Sequence, residues 1–145
     1  MIQRIQTLYL FFAAVVTAGI FYFDIYQATV MENGIKALKS MTFSDNYVGI
    51  ILTVISIALS LVAIFLFKKR KRQAGLTWLN LLVTIGLFYW MYRSIELFRG
   101  SLTEVISSRY WIGAFLPVLS FVLLCMALYR IRKDEKLIRS LDRLR

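Results

Sequence analysis

Histidine is absent from the 145 residues, cysteine and proline occur once each, and only 18% of the residues are charged. Without imidazole there is no His ligand for haem, zinc or copper and no histidine acid–base catalyst. The single thiol, Cys125, permits neither an intramolecular disulfide nor the Cys-x-x-Cys pair of a membrane thiol oxidoreductase. It lies inside an apolar run and reads as a small buried hydrophobe. Soluble domains usually carry about 25% charged residues. This chain has fewer, its mean hydropathy is +0.68, and its charges are clumped. No Asp, Glu, Lys or Arg falls between Leu8 and Phe23, Val48 and Phe67, Leu76 and Tyr92, or Tyr110 and Tyr129. About 20 apolar residues cross a hydrocarbon core of roughly 30 Å as a helix. The sequence is that of an integral membrane protein.

The expected fold is an all-α membrane protein, a four-transmembrane-helix bundle forming one domain over 1–145, with spans near 5–24, 47–67, 75–94 and 110–129. A cleaved signal peptide ending at Val16-Thr17-Ala18 is the rival for the first span. Its charged n-region is weak, and the apolar run continues past the supposed cut. Between spans one and two, Asp24, Glu32, Lys36, Lys39 and Asp45 give a net charge of −1. Glu32-Asn33-Gly34 reads as a turn and Ile35 to Met41 as a short surface helix. Residues 93–109 form a mixed segment with both signs of charge. Placing the N-terminus, the 68–74 loop and the 130–145 tail on one side puts 13 of the 18 basic residues there. By the positive-inside rule that side is cytoplasmic, and so are both termini. Aromatic residues at nearly every span end support these registers: Tyr22, Tyr26, Tyr47, Tyr89, Trp90, Tyr92, Tyr110 and Trp111 outside, Tyr9, Trp78 and Tyr129 inside.

Function in a membrane protein is usually marked by an ionisable group inside a span. Here the only acids near a span, Asp24 and Glu96, stand at outer ends. Asp24 reads as an interfacial flank, and Glu96 as a partner of Arg93 or Arg99 at helical spacing. A proton-coupled exporter is therefore disfavoured. Within the spans, Ser56 and Ser60 form a small-xxx-small pair suited to close helix packing, as do Ala14 and Ala18. Asn80 reads as an interhelical hydrogen-bonding residue, worth about 0.6–2 kcal/mol. Pro117 removes a bond to the carbonyl of Gly113 and predicts a fixed kink, with glycine relieving the crowding at that turn.

On the cytoplasmic side, Lys68, Lys69, Arg70, Lys71 and Arg72 are a topogenic stop signal, and each cation adds about 1 kcal/mol of attraction to an anionic leaflet. The run is tied between two spans and cannot lift away from the headgroups, so nucleic-acid binding is not expected. The tail holds seven basic and three acidic residues. No proline or glycine follows Pro117, so span four is expected to continue as an amphipathic C-terminal helix with Leu137, Ile138, Leu141 and Leu144 on its apolar side. Such a helix either lies on lipid or docks on a protein, and the two readings stand level.

Three stretches carry a resemblance: Met1-Ile2-Gln3-Arg4-Ile5-Gln6-Thr7-Leu8-Tyr9-Leu10, Phe65-Leu66-Phe67-Lys68-Lys69-Arg70-Lys71-Arg72-Gln73, and 132–145, ending in Asp142-Arg143-Leu144-Arg145. Together the chain resembles, end to end, a Bacteroidetes family of small four-span membrane proteins of unknown function, domain-of-unknown-function family 4293. The resemblance implies a bacterial inner-membrane location and an uncleaved first span. It implies no activity, cofactor or catalytic residue.

The expectation is a non-enzymatic, multi-pass inner-membrane protein with no cofactor or metal. It would serve as an accessory or scaffold subunit whose basic face docks anionic lipid, a membrane or cytoplasmic protein, or a second copy of itself. The alternative is a small oligomeric transporter or permeability factor with Asn80 and Pro117 along its path. An enzyme ranks third, because Arg and Tyr alone would have to perform the chemistry.

Overall fold

Each helix of the computed structural model hides one narrow stripe of residues and exposes most of the rest. The structure describes residues 3–32, 35–43, 46–67, 69–102 and 105–142. In chain order the elements are helix α1 (Gln3–Gly19), strands β1 (Tyr26–Glu32) and β2 (Ile35–Met41), helices α2 (Tyr47–Phe65) and α3 (Arg70–Gly100), strand β3 (Val105–Tyr110) and helix α4 (Ile112–Asp142). Helices α1 and α2, α2 and α3, and α3 and α4 pack together, and α4 closes the ring against α1.

The buried stripes have a common period. They are Gln6-Leu10-Ala13-Thr17-Ile20 on α1 and the turn after it, and Gly49-Thr53-Ser56-Ser60-Ala63 on α2. On α3 the stripe is Gln73-Thr77-Asn80-Thr84-Leu87, resumed at Ser94, and on α4 it is Gly113-Pro117-Ser120-Leu124-Ala127-Ile131-Asp134. Steps of four and three residues alternate, the seven-residue repeat that keeps one seam of a helix facing its partner. On α2 no residue of the stripe is larger than threonine, while Ile51, Val54, Ile55, Leu61 and Val62 are exposed. A soluble helix shows the reverse polarity. Helices α2, α3 and α4 are long and apolar enough to cross a membrane, and α1 is a shorter apolar helix.

The all-α expectation is corrected by a three-stranded antiparallel sheet in the order β2-β1-β3. Residues 35–41, expected as a short helix, pair with β1 from Tyr26↔Met41 to Glu32↔Ile35. Locally, Ile35, Leu38 and Met41 recur at three-residue steps and mimic a helical face. The partner strand decides instead: Tyr26, Ala28 and Val30 alternate into the core, and strand formation depends more on such pairing than on local preference. The 93–109 segment divides between the end of α3 and β3. That strand pairs with β1 from Tyr26↔Tyr110 to Val30↔Val105, with one irregularity at Thr29/Val30. Helix α1 stops at Gly19, short of the expected 24, because the chain beyond it is committed to the sheet. Ile25 N–H donates to Met41 O at 2.9 Å, and Trp111 N–H donates to Ile25 O at 2.9 Å.

Two apolar clusters fill the ring. One, under the sheet, joins Ile20, Ile25, Tyr26, Ala28, Met41 and Phe43 to Leu87, Ile95 and Ala114. The other joins Leu10, Ala13, Ala63, Leu81, Leu124, Ala127 and Leu128 towards the opposite end. The first turn of α4 locks onto the turn after α1: Gly113 N–H donates to Asp24 O at 2.9 Å. A Cβ on Gly113 would stand 2.5 Å from Asp24 O and 2.7 Å from Phe23 O. The glycine is therefore required by that close backbone approach, in addition to any relief it gives the Pro117 ring. Pro117 lies inside α4 without ending it.

Gly113→Ala should lower unfolding stability by about 1–3 kcal/mol, the cost of overpacking against backbone that has no room to move. Gly86→Ala on α3, where an added methyl meets nothing within 4 Å, should raise it by about 0.5–1 kcal/mol. Equilibrium unfolding in detergent measures both, and equal shifts for the two variants would contradict the packing described.

Candidate functional site

Asn80 lies 1% exposed on the α3 stripe, in a position that gives an amide no access to water. Its Nδ2 donates to Ser60 Oγ at 2.7 Å and to Ser56 O at 3.1 Å, and its Oδ1 accepts from Ser56 Oγ at 2.8 Å. One side chain thus joins α3 to two successive turns of α2. Farther along the same pair of helices, Gln73 Nε2 donates to Ala63 O at 3.0 Å, and at the opposite end Asn46 Nδ2 donates to Ser94 Oγ at 3.0 Å. The threonines between them need no partner helix. Thr53, Thr77 and Thr84 donate to the carbonyls of Gly49, Gln73 and Asn80, each four residues back.

The α1–α4 pair uses the same device. Thr17 Oγ1 and Ser120 Oγ stand 2.7 Å apart, and Thr17 also reaches Ala13 O at 2.8 Å. Gln6 Nε2 donates to Asp134 Oδ2, and both residues are buried. These pairings show that α2 runs antiparallel to α3 and α1 antiparallel to α4. They also show that Asp134, one of three acids in a basic tail, is an internal group of the helix ring. Sequence reasoning missed Gln6, Gln73 and Asp134. The signal that finds them is the four-three alternation, which reaches Gln6 and Gln73 at the edges of their uncharged runs and Asp134 two steps past the end of its own.

The basic end is built around the start of α3 and the last turns of α4. Lys69 occupies the N-cap position of α3 without capping it, and Arg70, Lys71 and Arg72 form the first turn. Cations there face the positive end of the helix dipole, which is unfavourable by a few tenths of a kcal/mol or more each. Nothing in the folding of α3 asks for them. Lys68 and Leu144 lie outside the described residues; Ile138 and Leu141 lie on α4, with side chains outside those described. Leu137 is 48% exposed. The Arg132 guanidinium lies 5.3 Å from the centroid of the Trp78 ring, tying α4 to α3. Cys125, expected to be buried, is exposed on the outer face of α4, because it falls one step off the α4 stripe beside Leu124.

At the sheet end, Glu96 pairs with Arg93 at 2.7 Å and Asp24 accepts from Gln27 Nε2 at 3.1 Å. Arg109 stacks 4.6 Å from the Trp111 ring. Among the described residues no three of Cys, Asp and Glu converge on a point where they could hold a metal. Asn80, Gln73, Gln6 and the Thr17–Ser120 pair bind helix to helix, and that arrangement is adhesive.

Asn80→Ala should cost about 1–2 kcal/mol, and a double-mutant cycle with Ser60→Ala should return a coupling of roughly 0.6–1.7 kcal/mol. Additive effects in that cycle would show that the amide holds nothing across the interface.

No curated protein and no solved structure matches the chain. One family model does, over residues 2–144, and by that match the chain belongs to the family described as Domain of unknown function (DUF4293).

Proposed function

We propose that the chain is a non-enzymatic protein of the bacterial inner membrane that crosses it four times, with both termini in the cytoplasm, and serves as an accessory or scaffold subunit. Support for the membrane comes from the three long apolar helices and from the inverted polarity of α2, with small and polar residues inside and branched ones outside. Helix α1 is the shortest crossing. Its 17 residues cover about 25 Å, and the turn held by Tyr22 N–H to Gly19 O extends it. The positive-inside rule supports the orientation, with the sheet outside and the start of α3 inside.

One observation carries the docking role. Helix α4 does not end at the expected interface near Tyr129 but continues to Asp142, and its first extra turns are bolted down through Asp134 to Gln6 and through Arg132 to Trp78. A solvated tail would need neither bond. A rigid, basic helix presented from a fixed base suits recognition of a partner, since little ordering entropy remains to be lost on binding. The partner is a protein with an acidic, partly apolar groove facing Leu137 and the turns after it.

The transporter reading has less support. Both protons of the Asn80 amide are committed to α2, and Pro117 lies on the buried stripe, so neither is placed to meet a solute.

The experiment is gentle detergent extraction followed by intact-assembly mass spectrometry, on the native chain and on a chain with Leu137, Leu141 and Leu144 changed to serine. A stoichiometric second protein should accompany the native chain and be lost from the variant, while the unfolding temperature stays within a few degrees. A native assembly of identical chains retaining only a small molecule would contradict the accessory role and favour transport.

A further inference from the structure

An apolar groove of about 300 Å³ runs between α3 and α4 on their outer faces, lined along its length by Leu82, Ile85, Phe121 and Cys125. Trp78, Tyr129 and Arg132 line it too, at the end nearest the start of α3. Arg132 and Tyr129 are shared with a second cavity of about 590 Å³, whose other walls among the described residues are Lys133, Glu135 and Lys136. The two cavities therefore share the Tyr129 and Arg132 side chains, the first being apolar for most of its length and the described lining of the second carrying a net charge of +2. The cation–π contact at 5.3 Å orients the guanidinium at that junction, so its position is not left to a flexible side chain.

We infer that this site binds a single anionic glycerophospholipid. One acyl chain lies along the α3–α4 groove and the phosphate sits in the basin of Arg132, Lys133 and Lys136. The inference rests on the membrane placement proposed above but not on the protein partner. The observations select the occupant in two ways. Leu82 and Ile85 are 59% and 51% exposed in the groove, an apolar lining suited to a hydrocarbon chain. Among the described residues the headgroup end carries three cations against Glu135, which favours a net negative headgroup over a zwitterionic one. Tyr129 and Trp78 mark the depth at which acyl chain gives way to headgroup, where amphipathic rings collect. The basic first turn of α3 is a separate cluster and supplies a control. Its cations attract any anionic surface, whereas the groove holds one molecule in register.

The test is intact-protein mass spectrometry of the full chain in detergent, titrated separately with phosphatidylglycerol and phosphatidylcholine. The native chain should retain one phosphatidylglycerol about tenfold more tightly than phosphatidylcholine. Arg132→Gln combined with Lys133→Gln and Lys136→Gln should remove the preference while leaving weak binding of either lipid. Ile85→Trp should fill the groove and weaken both lipids alike. Because Arg132→Gln loosens the Trp78 contact, Lys133→Gln with Lys136→Gln alone should already reduce the preference by half or more. Lys71→Gln with Arg72→Gln should leave it unchanged. If neutralising the α3 turn removes the preference and the α4 changes do not, the groove is not the site. A lipid-free homodimer would show that a second copy covers the groove and would equally overturn the inference. Failure of the chain to enter phosphatidylglycerol vesicles would bring down the membrane placement with it. Insertion without lipid preference would bring down the groove alone.

Discussion

The Asn80 amide, bonded at 2.7–3.1 Å to Ser56 and Ser60, is the interaction on which the helix ring depends. Helix α2 offers its neighbours only glycine, threonine, serine and alanine from its buried stripe, so apolar burial contributes little at that contact. What remains is close backbone approach and hydrogen bonding, and small residues permit the first while Asn80 supplies the second. An amide buried without partners would cost more than the pair gains when formed, so the same group that binds α2 to α3 also penalises any other register. A shift of α3 by one turn would break the paired bonds to Ser56 and Ser60. The seam thus specifies one alignment of two helices that are otherwise uniform apolar rods.

The sheet imposes a second alignment at the far end. Strand β1 is its centre, and the chain on either side of the sheet is tied to helices: α1 leads into it and α4 leaves it. The bonds Trp111 N–H to Ile25 O and Gly113 N–H to Asp24 O fix where α4 starts relative to where α1 stops. Thr17–Ser120 and Gln6–Asp134 then follow as the next points of register along the same antiparallel pair. The basic extension of α4 inherits its position from this chain of contacts.

Much of the helical layout was legible in the sequence because it depends on local composition. Uncharged runs mark the three long apolar helices, and the absence of glycine and proline after Pro117 marks the continuation of α4. The sheet was not legible. Ile35, Leu38 and Met41 satisfy a helical period, and Ser107-Ser108-Arg109 show no alternation, so both outer strands exist only through pairing with β1. Asn33-Gly34, readable as a turn, carried the missing information: two residues of that kind between extended segments signal a hairpin. Ser56 and Ser60 stood out as a small-xxx-small pair and Asn80 as an amide in an apolar run, each without its partner. Asp134 did not, because it lies among the charges of the tail, and Gln6 did not, because it stands at the edge of its run two residues after Arg4. The four-three alternation gathers all five into stripes; on α2 it is visible once small and polar residues are counted as the inward face, whereas Leu10, Leu87, Leu124 and Ile131 interrupt that pattern on the other helices.

The central claim is that α2 faces its neighbours through a small and polar stripe and turns its branched side chains to lipid. Paramagnetic broadening of the native chain's methyl signals by a lipid carrying a nitroxide on its acyl chain tests it directly, with no substitution required. The account predicts strong broadening at Ile51, Val54, Ile55, Leu61 and Val62 and protection of Thr53 and Ala63 on the same helix. Protection of the branched residues together with broadening at Thr53 and Ala63, or uniform broadening around the helix, would contradict it.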